Sequence, residues 1–456
     1  RRLLQREREE LGVLPKRKQT PDTVLRESGG HTMNVLFVAS EAVPFIKTGG
    51  LADVMGALPK ALAKKGMEVR LVIPKYSRIA EEAKKQMKEV TTGIVNLVWR
   101  QLYYGVEEIK QDGVTVYFID NEWYFKRDGL YGYGDDDERF AYFCRAVLTM
   151  LPKIGFKPDI IHCNDWHTGL MGVFLKEDFW HDDFYKGIKV IYTIHNLKYQ
   201  GIYPPSIMRD IIGLPQELFD NGSLECDGCV NYMKSGMVYA DHITTVSPSY
   251  AQEITYPYFG EGLDGYIRDN GEKVTGIING LDIDVYNPET DPYIKRQYSV
   301  ANARAGKREN KDALRAELGL RIKRGVPMIA MVTRLVEDKG LDLVTRIMDE
   351  LVDDDVQLVL VGTGDAGYEE AFRELARRHP TKVSANITFN EALAHKVYAA
   401  ADMFLMPSRY EPCGLSQLIA LRYGAIPIVR NAMTSDYSWD RSAEAYQNLY
   451  EKVLQQ

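Results

Sequence analysis

From Met33 onward, short runs rich in Val, Ile and Leu alternate with stretches of helical periodicity, and no other feature of the chain restricts its fold so strongly. Such runs read as strands of parallel sheets covered on both faces. In the first half they are Asn34–Ser40, Glu68–Ile73, Val114–Ile119, Asp159–Cys163, Lys189–His195, His242–Val246 and Gly276–Asn279. The alternation breaks at Tyr286 to Tyr298, where Pro288 and Pro292 stand among polar residues. It resumes after a charged helix with Met328–Thr333, Gln357–Val361, Val383–Thr388, Met403–Met406 and Ile426–Val429. The pattern predicts an α/β protein of two Rossmann-like, doubly wound domains facing a central cleft. The expected boundaries are an appended extension over 1–32, a first domain over 33–285, a linker over 286–301, a second domain over 302–436 and a C-terminal helix over 437–456 that packs back on the first domain.

The 456 residues suffice for a core in each domain. A net charge of −7 argues against a nucleic-acid partner. Five cysteines, few and odd in number, argue against a disulfide framework, and Cys226-x-x-Cys229 reads as ordinary free thiols rather than a zinc or redox pair. No apolar run is long enough to span a bilayer and no signal-peptide core opens the chain, so no membrane partner is expected and the expected setting is cytoplasmic, or plastidic in a plant. The triplets Asp135–Asp137 and Asp353–Asp355 read as solvated caps, with no metal and no cofactor expected. Oligomeric state leaves no signal.

In doubly wound sheets ligands bind beyond the carboxyl ends of strands, so the loops there carry the functional weight. The first is Lys47-Thr48-Gly49-Gly50-Leu51-Ala52-Asp53, after which Leu51, Val54, Leu58 and Leu62 recur at helical spacing. Two glycines before a helix N-terminus, with Lys47 beside them, suit a phosphate, although glycine also serves any strand-to-helix turn. Asn164-Asp165-Trp166-His167 and His195-Asn196, followed by Tyr199-Gln200-Gly201, place a carboxylate, imidazoles and an indole at the same sheet edge, a combination suited to a sugar. A helix-capping Asp165, a core Trp166 and a core His195 are the structural alternatives. Ser247-Pro248 is an N-cap followed by a first-turn proline.

In the second half, Arg334 and Lys339 flank a strand end and can grip a diphosphate, one through a planar fork and one as a point charge. Gly362-Thr363-Gly364 offers a further glycine turn of weak specificity. Pro407 to Leu415 brings Glu411 and a glycine-fronted helix start to another strand end. A lone carboxylate there suits sugar hydroxyls rather than phosphate.

Taken in order, Lys47–Asp53, Asp165–His167, His195-Asn196, Asn279-Gly280, Arg334-Leu335 with Lys339-Gly340, and Pro407–Leu415 resemble the motif series of bacterial glycogen synthases and plant starch synthases. The resemblance runs from Met33 nearly to the C-terminus. It implies the GT-B fold and transfer of glucose from a nucleotide sugar, usually ADP-glucose, to the 4-hydroxyl of an α-1,4-glucan with retention. It further implies that Lys47, His195, Arg334, Lys339 and Glu411 are catalytic. Gly49, Gly50, Asp53, Asn279, Phe389, Cys413, Gly414 and Leu415 would serve the donor, and Asp165, Trp166, His167, Asn196 and Tyr199 the acceptor and sugar.

Two departures stand out. Phe389 occupies a position where the family often has Tyr to stack on the base. After Arg430, a second Thr-Gly-Gly loop with further strand and helix is expected, yet Asn431 to Asp436 lead at once into Tyr437-Ser438-Trp439. Six residues reach only about 20 Å, so a segment is expected to be missing there. Other readings are a transferase of the same fold with a different acceptor, which often has a second Glu where Ile419 stands, a phosphorylase requiring pyridoxal phosphate, and a non-catalytic nucleotide-sugar or glucan-binding protein.

Overall fold

The computed structural model describes residues 32–409, 411–425 and 439–455. The expected strand Ile426–Val429, the segment from Arg430 to Ser438 and the extension before Thr32 lie outside the described residues.

A nine-stranded sheet forms the first half. Its strands are β1 (Asn34–Val38), β2 (Glu68–Pro74), β3 (Lys88–Leu97), β4 (Arg100–Gln111), β5 (Val114–Asp120), β6 (Ile160–Asn164), β7 (Lys189–Ile194), β11 (His242–Thr245) and β12 (Val274–Gly276), in the order β12-β11-β7-β6-β1-β2-β5-β4-β3. Between β7 and β11 the short strands β8 (Ile202–Tyr203), β9 (Glu225–Cys226) and β10 (Cys229–Asn231) form a separate three-stranded sheet. The second half carries β13 (Met328–Val332), β14 (Gln357–Val361), β15 (Val383–Asn386) and β16 (Met403–Phe404), ordered β15-β14-β13-β16 and all parallel. Both sheets are flanked by helices, among them α1 (Gly50–Lys64), α2 (Asp136–Met150), α3 (Pro248–Glu253), α4 (Ala303–Glu317), α5 (Leu341–Asp353), α6 (Glu391–Ala400), α7 (Leu415–Arg422) and α8 (Trp439–Leu454).

Central β1 is paired on both sides and Val35 to Val38 are wholly buried, which is why it reads as an unbroken apolar run. The edge differs. β3 and β4 are antiparallel and were not among the expected strands. They alternate exposed and buried residues because one face is wet, and such a pattern lacks the continuous apolar run that marks the inner strands. The last strand of the sheet is likewise displaced from its expected Gly276–Asn279 to Val274–Gly276.

One apolar core runs from Val35 to Ile277 and takes in Trp439, Tyr446, Leu449, Tyr450 and Val453 of α8, so the C-terminal helix completes the first domain. His162 on β6 lies beneath it, with Nδ1 2.5 Å from Tyr450 Oη and Nε2 2.6 Å from Thr193 Oγ1. The second domain's apolar side chains begin at Leu281. The stretch expected as a linker, 286–301, is a packed part of this second domain: Ile294 and Tyr298 are buried in its core, and Asp291 receives His395 Nδ1 at 2.8 Å and the Tyr423 hydroxyl. Its polar composition hid this, because most of its polar residues are exposed or half-buried and only a few anchors, Asp291, Ile294 and Tyr298 among them, are buried.

Asp136 corrects another expectation. It is not a solvated cap but buried, accepting from Gly132 N at 2.6 Å and pairing with the buried Arg139. Asp135 pairs with Arg127 at 2.6 Å. Cys226 and Cys229 face one another across the Asp227-Gly228 turn, and both are free thiols. Among the described residues no helix is long and apolar enough to cross a membrane.

Candidate active site

The Lys47–Asp53 loop follows β1 and enters α1 through Gly49. Its geometry is set from behind by Glu41, a residue the sequence reading passed over. Glu41 Oε2 accepts from Thr48 N and, at 2.8 Å, from Thr48 Oγ1, while Thr48 Oγ1 also bonds Tyr131 Oη. Burial pushes the Glu41 carboxyl up to about 7, against the lowering pull of the Thr48 bonds. Lys47 Nζ bonds Asp53 Oδ1 at 2.6 Å. Burial raises the Asp53 carboxyl, and the Lys47 ammonium offsets part of that rise.

The second strand-end cluster is held by hydrogen bonds that determine its chemistry. Asp165 sits at φ 57°, an unfavourable conformation for a side-chain-bearing residue, and its Oδ1 accepts from His195 N at 2.7 Å and Asn196 N at 3.3 Å. Its side chain therefore braces the next strand's exit loop rather than capping its own helix. Burial pushes its carboxyl up to about 7. Asn164 Nδ2 donates to Val38 O and His162 O, each at 3.1 Å, which turns its Oδ1 toward His195 Nε2 at 2.9 Å. Nε2 of His195 thus carries the hydrogen and Nδ1 is the acceptor. Burial pushes the imidazole down to about 3, so it is neutral at pH 7. His167 lies in an aromatic nest, 4.0 Å from the Trp166 ring, 4.7 Å from Phe140 and 4.9 Å from Tyr131 by centroid. Neither of its ring nitrogens has a hydrogen-bond partner, and burial lowers it to about 3. Trp166 is buried in the same nest, whereas Tyr199 is exposed.

On the other side, β13 runs into Arg334, which is exposed. The loop it starts is closed by Gly340, at φ 66°, where a Cβ would lie 2.0 Å from Pro407 O. Only glycine lets Lys339 approach the Pro407–Gly414 turn so closely. Lys339 Nζ is 2.6 Å from Glu411 Oε2, which Ser408 Oγ also reaches at 3.0 Å. Glu411 is therefore not the lone carboxylate that the sequence suggested. The Gly362-Thr363-Gly364 turn backs this loop: Leu335 N donates to Thr363 O at 2.9 Å, Asp365 N to Leu335 O at 2.8 Å, and a Cβ on Gly364 would meet Leu335 O at 2.3 Å. Packing explains those glycines without a phosphate. Phe389 is 80% exposed, an open ring beside α6.

The two sides meet. A Cβ on Gly50, the first residue of α1, would lie 3.3 Å from Leu415 Cδ1, the first residue of α7, so the two helix N-termini lie against each other. Ser247 Oγ, besides accepting from Tyr250 N as the cap of α3, donates to Pro412 O at 2.7 Å. Cys413 packs on the first core and burial raises its thiol to about 12; Asn279 hydrogen-bonds it, while the Asn279 Oδ1 atom is buried without a partner. Lys47, Arg334 and Lys339 are thus three cations on loops around two glycine-fronted helix starts. The neutral His195 and the buried Asp165 lie on the first-domain side.

A family model described as starch synthase catalytic domain matches residues 34–269, and one described as glycosyl transferases group 1 matches residues 313–435. The glycogen synthase of Desulforamulus reducens is 47% identical over 476 residues, covering 92% of this chain and 99% of that protein. The chain belongs to the glycogen and starch synthase family. The glycogen synthase of Clostridium beijerinckii is 48% identical, with 93% of this chain and 100% of the relative covered. An alignment of 476 positions exceeds the 456 residues present, so the relative has residues without a counterpart here. Among solved structures, the catalytic domain of starch synthase IV from Arabidopsis thaliana, bound to ADP and acarbose, superposes with a TM-score of 0.86 at 30% identity, covering 93% of this chain and 100% of that one. A sucrose-phosphate synthase from Thermosynechococcus elongatus shares the fold alone, at a TM-score of 0.56 and 15% identity. The family's enzymes are GT-B glycosyltransferases, and the chain is a hexosyltransferase of that fold.

Tyr131 and Glu41 are the members of the site that sequence reading missed, together with the bond of Asn164 to His195. Glu41 had a signal, a carboxylate directly after the first strand. Tyr131 had none, since it reaches Thr48 across 83 residues of chain.

Proposed function

We propose that the chain transfers the glucosyl group of ADP-glucose to the 4-hydroxyl of an α-1,4-glucan with retention of configuration. The observation that carries this reading is the contact of Gly50 with Leu415, which sets two helix starts against each other, with Lys47 on the loop before one and Lys339 held to Glu411 on the turn before the other, an arrangement suited to a diphosphate shared between domains. The relatives named glycogen synthase and the ADP and acarbose in the related starch synthase structure support the donor and acceptor classes.

In this reading Arg334 and Lys339 hold the diphosphate from one side, and Lys47 with the Gly49-Gly50 amides from the other. They stabilise the charge that develops as the phosphate leaves. Glu411 serves two partners: it orients glucosyl hydroxyls and holds Lys339 in place. His195 Nδ1 accepts from a sugar hydroxyl, and its neutrality keeps that lone pair available at pH 7. The departing phosphate takes the proton of the acceptor hydroxyl on the same face as the new bond forms. Phe389 stacks on the base, and Asn279, Cys413 and Gly414 line the donor side. Asp53 orients Lys47, and Trp166, His167 and Asn196 shape the sugar side while Tyr199 offers a ring to the acceptor. No cofactor takes part, and the unpaired cysteines and bacterial relatives support a cytoplasmic setting.

Incubating the protein with labelled ADP-glucose and glycogen tests this directly, with UDP-glucose run in parallel. Incorporation into α-1,4 linkages from ADP-glucose is the expected result. Binding of both ligands without transfer would leave a non-catalytic binding protein.

A further inference from the structure

Among the described residues, one ion pair joins the two domains, and neither the phosphate clamp nor the sugar-side bonds need it. Lys198 Nζ, on the loop after β7, lies 2.5 Å from Asp338 Oδ1, on the loop after β13. We propose that Lys198 is a positioning residue: through Asp338 it holds the Arg334–Gly340 loop in register with the Asp165–His195 cluster, so that one nucleotide sugar meets both halves of the site together. The kinetic part of this proposal rests on the synthase reading above.

Both ends of the pair are already fixed. Asn196 Oδ1 accepts from Lys198 N at 3.0 Å, and Asn196 N donates to Asp165 Oδ1, the same carboxylate oxygen that holds His195. At the other end, Asp338 O accepts from Arg409 N at 2.9 Å, and the next residue, Lys339, bonds Glu411. The path Asp165–Asn196–Lys198–Asp338–Lys339–Glu411 thus crosses the cleft through hydrogen bonds and a single peptide link. The pair borders an ion-pair cluster in which the Arg409 side chain engages Glu337 at 3.5 Å and also Asp342. The bond to Asp338 raises the Lys198 ammonium above its usual range, so the cation persists at neutral pH. Lys198 is 42% and Asp338 23% exposed, so the attraction is partly screened and sensitive to salt.

The test uses the full chain and the variants Lys198→Glu, Asp338→Lys and the double reversal. Each single reversal puts like charges in contact and is expected to raise KM for ADP-glucose and for glycogen by about threefold at low salt, with a smaller change in kcat. The double reversal restores the pair and is expected to return KM to within about twofold of the parent, and the differences should shrink at about 0.5 M salt. ADP affinity by calorimetry gives a readout apart from turnover: Lys198→Glu weakens it, and the double reversal recovers it. Single effects that simply multiply in the double variant would overturn the proposal, as would an unchanged ADP affinity in Lys198→Glu. If the parent transfers no glucose, the synthase reading fails while the ADP affinities still decide the role of Lys198. Should Asp338→Lys not fold, Lys198→Arg is the comparison. It keeps the charge and must keep the affinity that Lys198→Glu loses.

Discussion

The two walls of the cleft are built by opposite means. The first-domain wall buries its polar groups and lowers their charge: the Glu41 and Asp165 carboxyls are pushed up to about 7 and the His195 imidazole, neutral at pH 7, down to about 3. The second-domain wall keeps its charges half-exposed, as an unburied Arg334, a Lys339–Glu411 pair and the Arg409–Asp342 pair. The difference matches the two ends of a nucleotide sugar. Neutral hydroxyls are best recognised by desolvated, oriented donors and acceptors, whereas a diphosphate requires full charges that persist at every physiological pH. Lys47 and Lys198 are the exceptions, cations on the first wall that pair with Asp53 and Asp338.

If that contrast holds, removing charge from the second wall should be the most damaging change. Arg334→Ala and Lys339→Ala should each lower kcat by about 10²- to 10³-fold with little change in thermal midpoint. Unfolding with retained specific activity would break the contrast outright. His195→Ala should cost about tenfold in kcat/KM, because it removes one neutral hydrogen bond rather than a charge. Radiolabel incorporation at subsaturating ADP-glucose measures it.

Next comes a stability effect confined to the first wall. Asp165 has a folded pKa raised to about 7 over an ordinary value of 3.8, so between about pH 4 and pH 7 the folded state holds a proton that the unfolded state has released. Its contribution to stability is therefore fully present below about pH 4 and lost as pH rises toward 7. Asp165→Asn keeps the acceptor oxygen and should abolish this part of the slope, narrowing the change in urea midpoint between pH 5 and pH 8. Identical slopes in parent and variant would mean that Asp165 ionises normally. The smallest effect should come from Phe389→Tyr, at most about twofold in donor KM, because an exposed ring gains only a hydroxyl at the surface. A tenfold gain would show that the second wall reads the base through that hydroxyl.

Much of the fold was legible because buried parallel strands announce themselves. Val35–Val38 and Leu358–Val361 could be read directly from their apolar runs. The β3–β4 pair could not, since a half-wet antiparallel edge looks like ordinary polar chain. The 286–301 stretch has the composition of a linker for a related reason: its polar residues are mostly exposed, and a few buried anchors such as Asp291, Ile294 and Tyr298 tie it to the core. In the proposed site, residue types and their strand-end positions singled out Lys47, Asp165, His195, Arg334, Lys339 and Glu411 as candidates. Protonation states were not legible, because they follow from burial, and burial is a property of neighbours remote in sequence.

The amino-acid sequence alone thus determined the two doubly wound domains, the glycine-fronted helix starts and the chemical types at the strand ends, since each depends on local periodicity and turn chemistry. Tertiary structure alone decided that Glu41 sets the Thr48 turn, that Glu411 is partnered by Lys339, that Tyr450 of α8 reaches His162 and that Lys198 reaches Asp338 across the cleft. Each of those contacts joins residues from seven to more than a hundred positions apart. Their energies depend on distance in space, which a linear pattern does not encode.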